Sequence, residues 1–221
     1  MNIVITGASR GIGFETAKLL AKEHNVFCLS RNTRPITNLQ NTNIVPISFD
    51  LESFDTSALD TYFQSVGKVD RIINNAGLLI NKPLEELTAD DLQRMYQVNA
   101  IAPQLLVQYF LPKLENGHVV NISSMGGVQG TAKFSGLSGY SSSKGAVTIL
   151  TECLAEELKD KNISVNALAL GAVQTEMLSE AFPDYQAPLS AQEMAEYIAD
   201  FTLKGQKYFN GKVLNVALTT P

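Results

Sequence analysis

The stretch Asn2-Ile3-Val4-Ile5-Thr6-Gly7-Ala8-Ser9-Arg10-Gly11-Ile12-Gly13 decides the fold. Its apolar start lacks the polar alternation of a half-exposed strand, so it predicts one buried on both faces. The run stops at Gly7, and a helical pattern follows over Gly13–Glu23. Strand, glycine-rich turn and helix in that order open a βαβ unit. The three glycines have separable tasks. Gly7 permits a tight turn off the strand, Gly11 lets backbone approach a pyrophosphate, and Gly13 lets helix and sheet pack closely. The helix start offers free N–H groups and partial positive charge to an anion. Ser9, Arg10 and Ile12 fill the loop and are expected to line the same phosphate site. A glycine cluster alone marks an ordinary turn; its place between strand and helix makes it a nucleotide signal.

The alternation continues outward. Val26–Leu29, Ile44–Ile47, Arg71–Asn74, Val119–Ile122, Ile163–Ala169 and Val213–Ala217 join Asn2–Ile5 as predicted strands. Helical spacing covers Asp55–Val66, Ala89–Leu114, Tyr140–Leu158 and Ala191–Leu203, with Pro103 set to kink the second of these. Thr88 before Asp91, and Ser190 before Glu193, are N-terminal capping signals. Such alternation implies right-handed crossovers and an α/β, doubly wound fold in three layers around a seven-stranded parallel sheet. Residues 1–221 are expected to form one domain. Ligands of such sheets bind beyond the carboxyl ends of the strands. The two longest loops, 126–139 and 175–189, follow strands and belong to that edge.

Composition narrows the function classes. The 221 residues are 45% hydrophobic and carry a net charge of -5, which excludes disorder for the bulk of the chain. Seventeen basic residues against 22 acidic argue against a nucleic-acid partner held by bulk charge. Cys28 and Cys153 cannot build a disulfide framework, and His24 and His118 are too few for a typical zinc enzyme, so no metal is expected. No stretch has the pattern of a signal peptide or approaches the roughly 18 apolar residues of a membrane span. A soluble, cytoplasmic protein without a membrane partner is expected.

The second predicted strand bears on which dinucleotide binds. An NAD site places an acid there to hold the ribose 2′-hydroxyl. The sequence has Cys28-Leu29-Ser30-Arg31-Asn32 instead. Arg31 and Arg10 are two guanidinium groups suited to clamp a 2′-phosphate, so NADP(H) is expected over NAD(H).

The reacting groups come next. Tyr140 and Lys144 are four residues apart and share one helix face. A free phenol has a pKa of about 10, and working near neutrality needs a fall of about three, or about 4 kcal/mol. A nearby ammonium favours the phenolate, which makes Lys144 the expected tuner of Tyr140. Ser124 ends a strand nearby and is placed to donate to a carbonyl oxygen. Ser138 is a weaker competitor for that part.

The ordered set Gly7–Gly13, Asn74-Asn75-Ala76-Gly77, Asn99, Ser123-Ser124 and Tyr140-Ser141-Ser142-Ser143-Lys144 resembles the short-chain dehydrogenase/reductase family, in its compact Rossmann-fold branch. The resemblance covers nearly the whole length. It implies that Tyr140 protonates a carbonyl oxygen as hydride reaches the carbon. It also implies that Lys144 holds the nicotinamide ribose and that Asn99 holds a water linking Lys144 to solvent. By the same resemblance Asp50 and Leu51 meet the adenine, and Asn75, Ala76 and Gly77 line the cofactor. Gly171, Val173 and Thr175 meet the carboxamide and phosphates.

Three departures stand out. Leu170 replaces the family's usual proline, Ser124 and Tyr140 are 16 positions apart rather than a few fewer, and the lid segment Glu176–Leu189 is short. The expectation is an NADPH-dependent oxidoreductase acting on a carbonyl or alcohol, assembled as a homodimer or homotetramer through its long helices. A non-catalytic dinucleotide sensor is the alternative, though such a protein would be expected to lose Tyr140 or Lys144. Met177 and Phe182 are candidates for an apolar substrate wall, with plain core as the commoner fate of such residues.

Overall fold

The computed structural model describes residues 1–218; positions 219–221, the last of the expected domain, lie outside the described residues. Seven strands form one parallel sheet: β1 Asn2–Thr6, β2 Asn25–Ser30, β3 Ile44–Ser48, β4 Arg71–Asn74, β5 His118–Ser124, β6 Ser164–Leu170 and β9 Val213–Val216. Their order is β3-β2-β1-β4-β5-β6-β9, and every neighbouring pair is parallel. The order reverses between β1 and β4, which opens a crevice at their carboxyl ends. Each strand predicted from its apolar run is present, within two residues at either end.

Strand alternation feeds two cores. Ile3 and Ile5 face the layer that holds Ala17 and Leu20 of α1 (Gly11–Leu20), Ile36 of α2 (Arg34–Thr37) and Ile198 of α8 (Ala191–Lys204). Val4 faces the opposite layer. There Phe63 of α3 (Ser57–Phe63) packs on Phe27 at 4.7 Å and on Phe110 at 4.6 Å between ring centroids. The three layers follow from period-two burial on a sheet covered on both faces.

Both capping signals are realised. Thr88 Oγ1 accepts from the Asp91 amide at 3.1 Å at the start of α4 (Ala89–Tyr96), and Ser190 Oγ accepts from Glu193 at 3.2 Å. The pattern Ala89–Leu114 is one helix in expectation and several segments in the structure. A π-helical turn, Gln97–Ile101, separates α4 from α5 (Ala102–Phe110), and Leu111–Lys113 is a 3₁₀ turn. Pro103 explains the break: it has no N–H to offer the carbonyl of Asn99 four residues before it. The long helix α6, Ser138–Glu157, carries the Tyr-x-x-x-Lys pair. Besides α2 and the 3₁₀ turns, three short elements escaped the sequence reading: α7 (Glu176–Ala181) and a parallel ladder of β7 (Val173–Gln174) with β8 (Leu189–Ser190). They form the roof over the crevice.

Candidate active site

The glycine loop leaves β1 with Gly7 at φ +68° and Gly11 at φ +56°, both in the left-handed region. Gly13 is needed for a different reason. A Cβ there would lie 2.4 Å from the Gly7 carbonyl and 2.3 Å from Asn75 Nδ2. Asn75 is a clamp: its amide donates to the carbonyls of Thr6 at 3.0 Å and Gly7 at 3.2 Å. Thr6 Oγ1 accepts from the backbone of Asn75 and Ala76 at 3.1 and 3.0 Å. The ends of β1 and β4 are thereby held together around the loop. No side chain caps the start of α1, whose first turn carries no acidic residue. That is the donor set an anion needs at a helix N-terminus.

One cleft of about 740 Å³ runs along this edge. Every residue nominated from the sequence lines it except Asn99 and the weaker serine candidate Ser138. Ser9, Ile12, Arg31, Leu51, Ala76, Gly171 and Val173 are all on its walls. Asp50 opens a turn, its Oδ1 accepting from the Glu52 amide at 3.0 Å. Thr175 Oγ1 caps α7 by accepting from Leu178 at 3.3 Å.

The catalytic candidates gather where β5, α6 and the π-turn meet. Lys144 Nζ donates to the carbonyl of Ile122 at 2.8 Å and lies 5.9 Å from the Tyr140 ring centroid. Ser123 Oγ donates to the Lys144 carbonyl at 2.9 Å, which fixes α6 against β5. Ser124 is half-buried at the strand end, and its Oγ accepts from Gly126 at 3.2 Å. Ser138 is exposed at the start of α6 and does not line the cleft, so Ser124 has the better position. A Cβ on Gly77 would sit 3.4 Å from Lys144 Nζ, so Gly77 keeps the space before the amine clear.

Asn99 sits behind this group and is buried. Its Oδ1 accepts from the Leu78 amide at 2.8 Å, and its Nδ2 donates to the Leu78 carbonyl and to Ser143 Oγ, both at 2.9 Å. The side chain is committed to tying the π-turn to the segment after β4 and to α6. Any water relay would therefore fall to its backbone carbonyl.

Burial dominates the electrostatics of this pair. From protein groups alone, burial pushes the Tyr140 phenol up to about 12, with the Ser124 hydroxyl pulling the other way. Burial brings the Lys144 ammonium down to about 8. For the phenol, desolvation outweighs the Ser124 hydrogen bond, so from protein groups alone it stays protonated at neutral pH.

The two arginines expected to clamp a 2′-phosphate each have an acidic neighbour that the sequence reading missed. Arg10 Nη1 donates to Glu180 Oε1 at 2.8 Å, and Arg31 lies 3.2 Å from Glu52 Oε1. Glu52 is also held by Arg94 through contacts of 2.8 and 3.3 Å. These partners are distant in sequence and no local motif marks them. Among the described residues, no cluster of three or more His, Cys, Asp or Glu is grouped to hold a metal, and no helix is long and apolar enough to cross a membrane.

Comparison with known proteins agrees with this geometry. Residues 1–186 match the family described as short chain dehydrogenase. The ketoacyl reductase HetN of Nostoc sp. is 32% identical over 185 residues, which are 77% of this chain and 63% of that protein, just under two thirds of its length. Carbonyl reductase [NADPH] 2 of Sus scrofa is 31% identical, over 80% of this chain and 73% of its own. Among solved structures, ElxO with NADP bound superposes with a TM-score of 0.85 at 26% identity, covering 98% of this chain and 96% of that one. A 3-ketoacyl-(acyl-carrier-protein) reductase from Brucella melitensis, complexed with NADH, gives 0.87 at 24% identity, again over 98% and 96%.

Proposed function

The chain belongs to the short chain dehydrogenase family, and on that premise we propose that it is an NADPH-dependent reductase of ketones or aldehydes, with residues 1–221 forming one domain that binds cofactor and substrate. The observation that carries this reading is the convergence of Ser124, Tyr140 and Lys144 on the same cleft that the glycine loop lines. The donor set fits a dinucleotide. The uncapped start of α1 and the positive-φ Gly11 suit a pyrophosphate, and the space before Gly77 suits a ring beside Lys144. Asp50 and Leu51 at the end of β3 suit the adenine, and Gly171, Val173 and Thr175 suit the nicotinamide side. A relative named for NADPH and neighbours bound to NADP or NADH support a nicotinamide cofactor. When bound, that group supplies the hydride.

The chain's own residues do the rest. Ser124 donates to the carbonyl oxygen and orients it. Tyr140 gives its phenolic proton to that oxygen, so a carbonyl that gains hydride at carbon leaves as an alcohol. A phenol that burial pushes up to about 12 carries, at neutral pH, the proton that the acid role requires. Lys144, positively charged below pH 8, stabilises the phenolate left behind. Asn99 holds the π-turn in place behind Lys144 and offers a backbone carbonyl for proton resupply. Leu92, Ile101 and Ile149 are exposed apolar residues on α4, the π-turn and α6, and we assign them to a contact between copies in a homodimer or homotetramer. A cytoplasmic location fits this chemistry.

The test is a panel of carbonyl compounds followed by loss of NADPH absorbance, with Tyr140→Phe alongside. The variant is expected to lose turnover by at least about a thousandfold, within the range that acid–base catalysis contributes, while it still binds NADPH. A fully active Tyr140→Phe enzyme would remove the proposed acid.

A further inference from the structure

The family leaves the substrate open, and the inference that follows rests on the reductase reading. The cleft has two chemically distinct ends. Apart from Lys144, its charged lining residues lie at the glycine loop, at the ends of β2 and β3, or at Glu176. The Glu176 carboxylate itself lies against the glycine loop, 3.5 Å from where a Gly11 Cβ would sit. Beyond Ser124 and Tyr140 the walls include Leu79, Phe134, Leu137, Met177, Phe182 and Tyr185. None of these six belongs to either core layer. Phe134 is 56% exposed and Tyr185 is 50% exposed, so large rings are held at the mouth at the expense of hydration.

These walls are preformed. Asn81 Nδ2 donates to the Ala181 carbonyl at 3.1 Å, and the Lys82 amide donates to the Gly136 carbonyl at 3.1 Å. The segment after β4 thus ties down both the loop that carries Phe134 and the roof helix α7. A Cβ on Gly136, which is at φ +81°, would lie 2.1 Å from Asn81 Oδ1, so the join is close. The cations nearest this mouth are already engaged. Lys82 pairs with Asp91 at 2.7 Å. Lys133 Nζ donates to the Val128 carbonyl at 2.8 Å and to Thr131 O and Oγ1 at 3.0 and 2.8 Å. A carboxylate or phosphate on the substrate would lose water among these rings, and the three donors of the neighbouring Lys133 ammonium are already committed to backbone and hydroxyl oxygens.

We propose that the substrate is an uncharged ketone or aldehyde with an apolar body, seated between Phe134 and Leu137 on one side and Met177, Phe182 and Tyr185 on the other, and that keto acids and phosphate-bearing thioesters are excluded. The redox step is unchanged. The carbonyl π bond breaks, carbon takes hydride from the reduced dinucleotide, oxygen takes the Tyr140 proton, and a neutral alcohol leaves.

The test compares methyl ketones from butan-2-one to octan-2-one with keto acids of matched length, using the full chain and NADPH. Each added methylene is expected to raise kcat/KM about fourfold until the walls are covered, the equivalent of about 0.8 kcal/mol per buried CH₂. A terminal carboxylate is expected to lower it about thirtyfold or more. Phe134→Ser, and independently Tyr185→Ser, remove most of the chain-length gain; both positions are exposed, so folding is not at stake. A flat chain-length profile, or preference for the keto acids, overturns this substrate class and leaves the reductase reading standing. If neither series turns over, calorimetric titration of octan-2-one decides. Saturable binding weakened by Phe134→Ser retains the apolar ligand and removes the reductase; no binding removes both.

Discussion

Arg10 donates to Glu180 over 2.8 Å, so the cation of the glycine loop is held by the helix that roofs the cleft. Both side chains are more than half exposed, and an exposed pair of this kind contributes at most about 1 kcal/mol. Its importance lies in competition. A 2′-phosphate that recruits Arg10 must displace Glu180. Glu180→Gln is therefore expected to tighten NADPH binding about two- to fivefold, the span an exposed pair allows, with NADH changed by less. Titration of both dinucleotides against wild type and variant checks this. An equal change for the two cofactors would uncouple Arg10 from the phosphate.

Arg31 stands in a different balance. Glu52 lies 3.2 Å from it, but Arg94 holds the same carboxylate through two contacts and is the chief cause of its lowered pKa. Two cations share the one Glu52 carboxylate, so Arg31 does not have that anion to itself. NADPH is expected to bind at least about tenfold tighter than NADH, the equivalent of 1.4 kcal/mol, and Arg31→Ala to erode the preference. Arg94→Ala is expected to do so as well without touching the cofactor, because Glu52 then pairs with Arg31 alone. Unaltered preference in both variants would place the selectivity elsewhere.

The sheet was legible because buried parallel strands write themselves as short Ile and Val runs, and because Thr88 and Ser190 stand three residues ahead of acids that complete their caps. The site was legible where chemistry repeats along the chain, as in the four-residue step from Tyr140 to Lys144. It was illegible where partners come from far apart. Glu180 lies 170 residues from Arg10, and Asn81 lies 100 from Ala181. The π-turn was half-visible: Pro103 announced a disturbance but not that Asn99 would turn inward and bind Leu78 and Ser143. The electrostatic balance was hard to read for a physical reason. Helical spacing reports the distance between phenol and amine, whereas the balance is set by how much water both have lost.

His118 gives an acid-side prediction. It is fully buried at the start of β5, with Nδ1 at 3.1 Å from the Thr202 carbonyl and Nε2 at 3.1 Å from Asn166 Nδ2. These partners assign the proton to Nδ1, leaving Nε2 to accept from the amide. Burial, helped by the charge of Arg71, brings the ring down to about 4 from 6.5, against the pull of Thr202. Between those values the unfolded chain binds the proton more readily, so stability is lost as pH falls from 6.5 towards 4. The loss is on the order of 3 kcal/mol. Urea midpoints at pH 7 and 5 are expected to fall apart more in wild type than in His118→Gln. Parallel pH dependence in the two proteins would rule the ring out.

Lys144 predicts the opposite end of the pH scale and ties stability to the reaction. Its folded-state value of about 8 lies below the ordinary 10.5, because burial penalises the ammonium. Above pH 8 the folded chain releases a proton that the unfolded chain keeps up to 10.5, so stability rises with pH across that window. Tyr140, pushed up to about 12, works against this only above pH 10, where the unfolded phenol ionises first. Lys144→Met is expected to abolish the rise between pH 8 and 10 and to be the more stable protein at pH 7, since it no longer buries a charge. Activity carries the matching signature. The charge that faces the phenol is lost as the amine titrates, so the reductive rate at saturating cofactor is expected to fall above pH 8, before any phenol has ionised. A rate that stays level to pH 10, together with a denaturation profile identical to that of Lys144→Met, would mean that the amine is never charged in its position beside Tyr140 and the phenolate is stabilised by some other group.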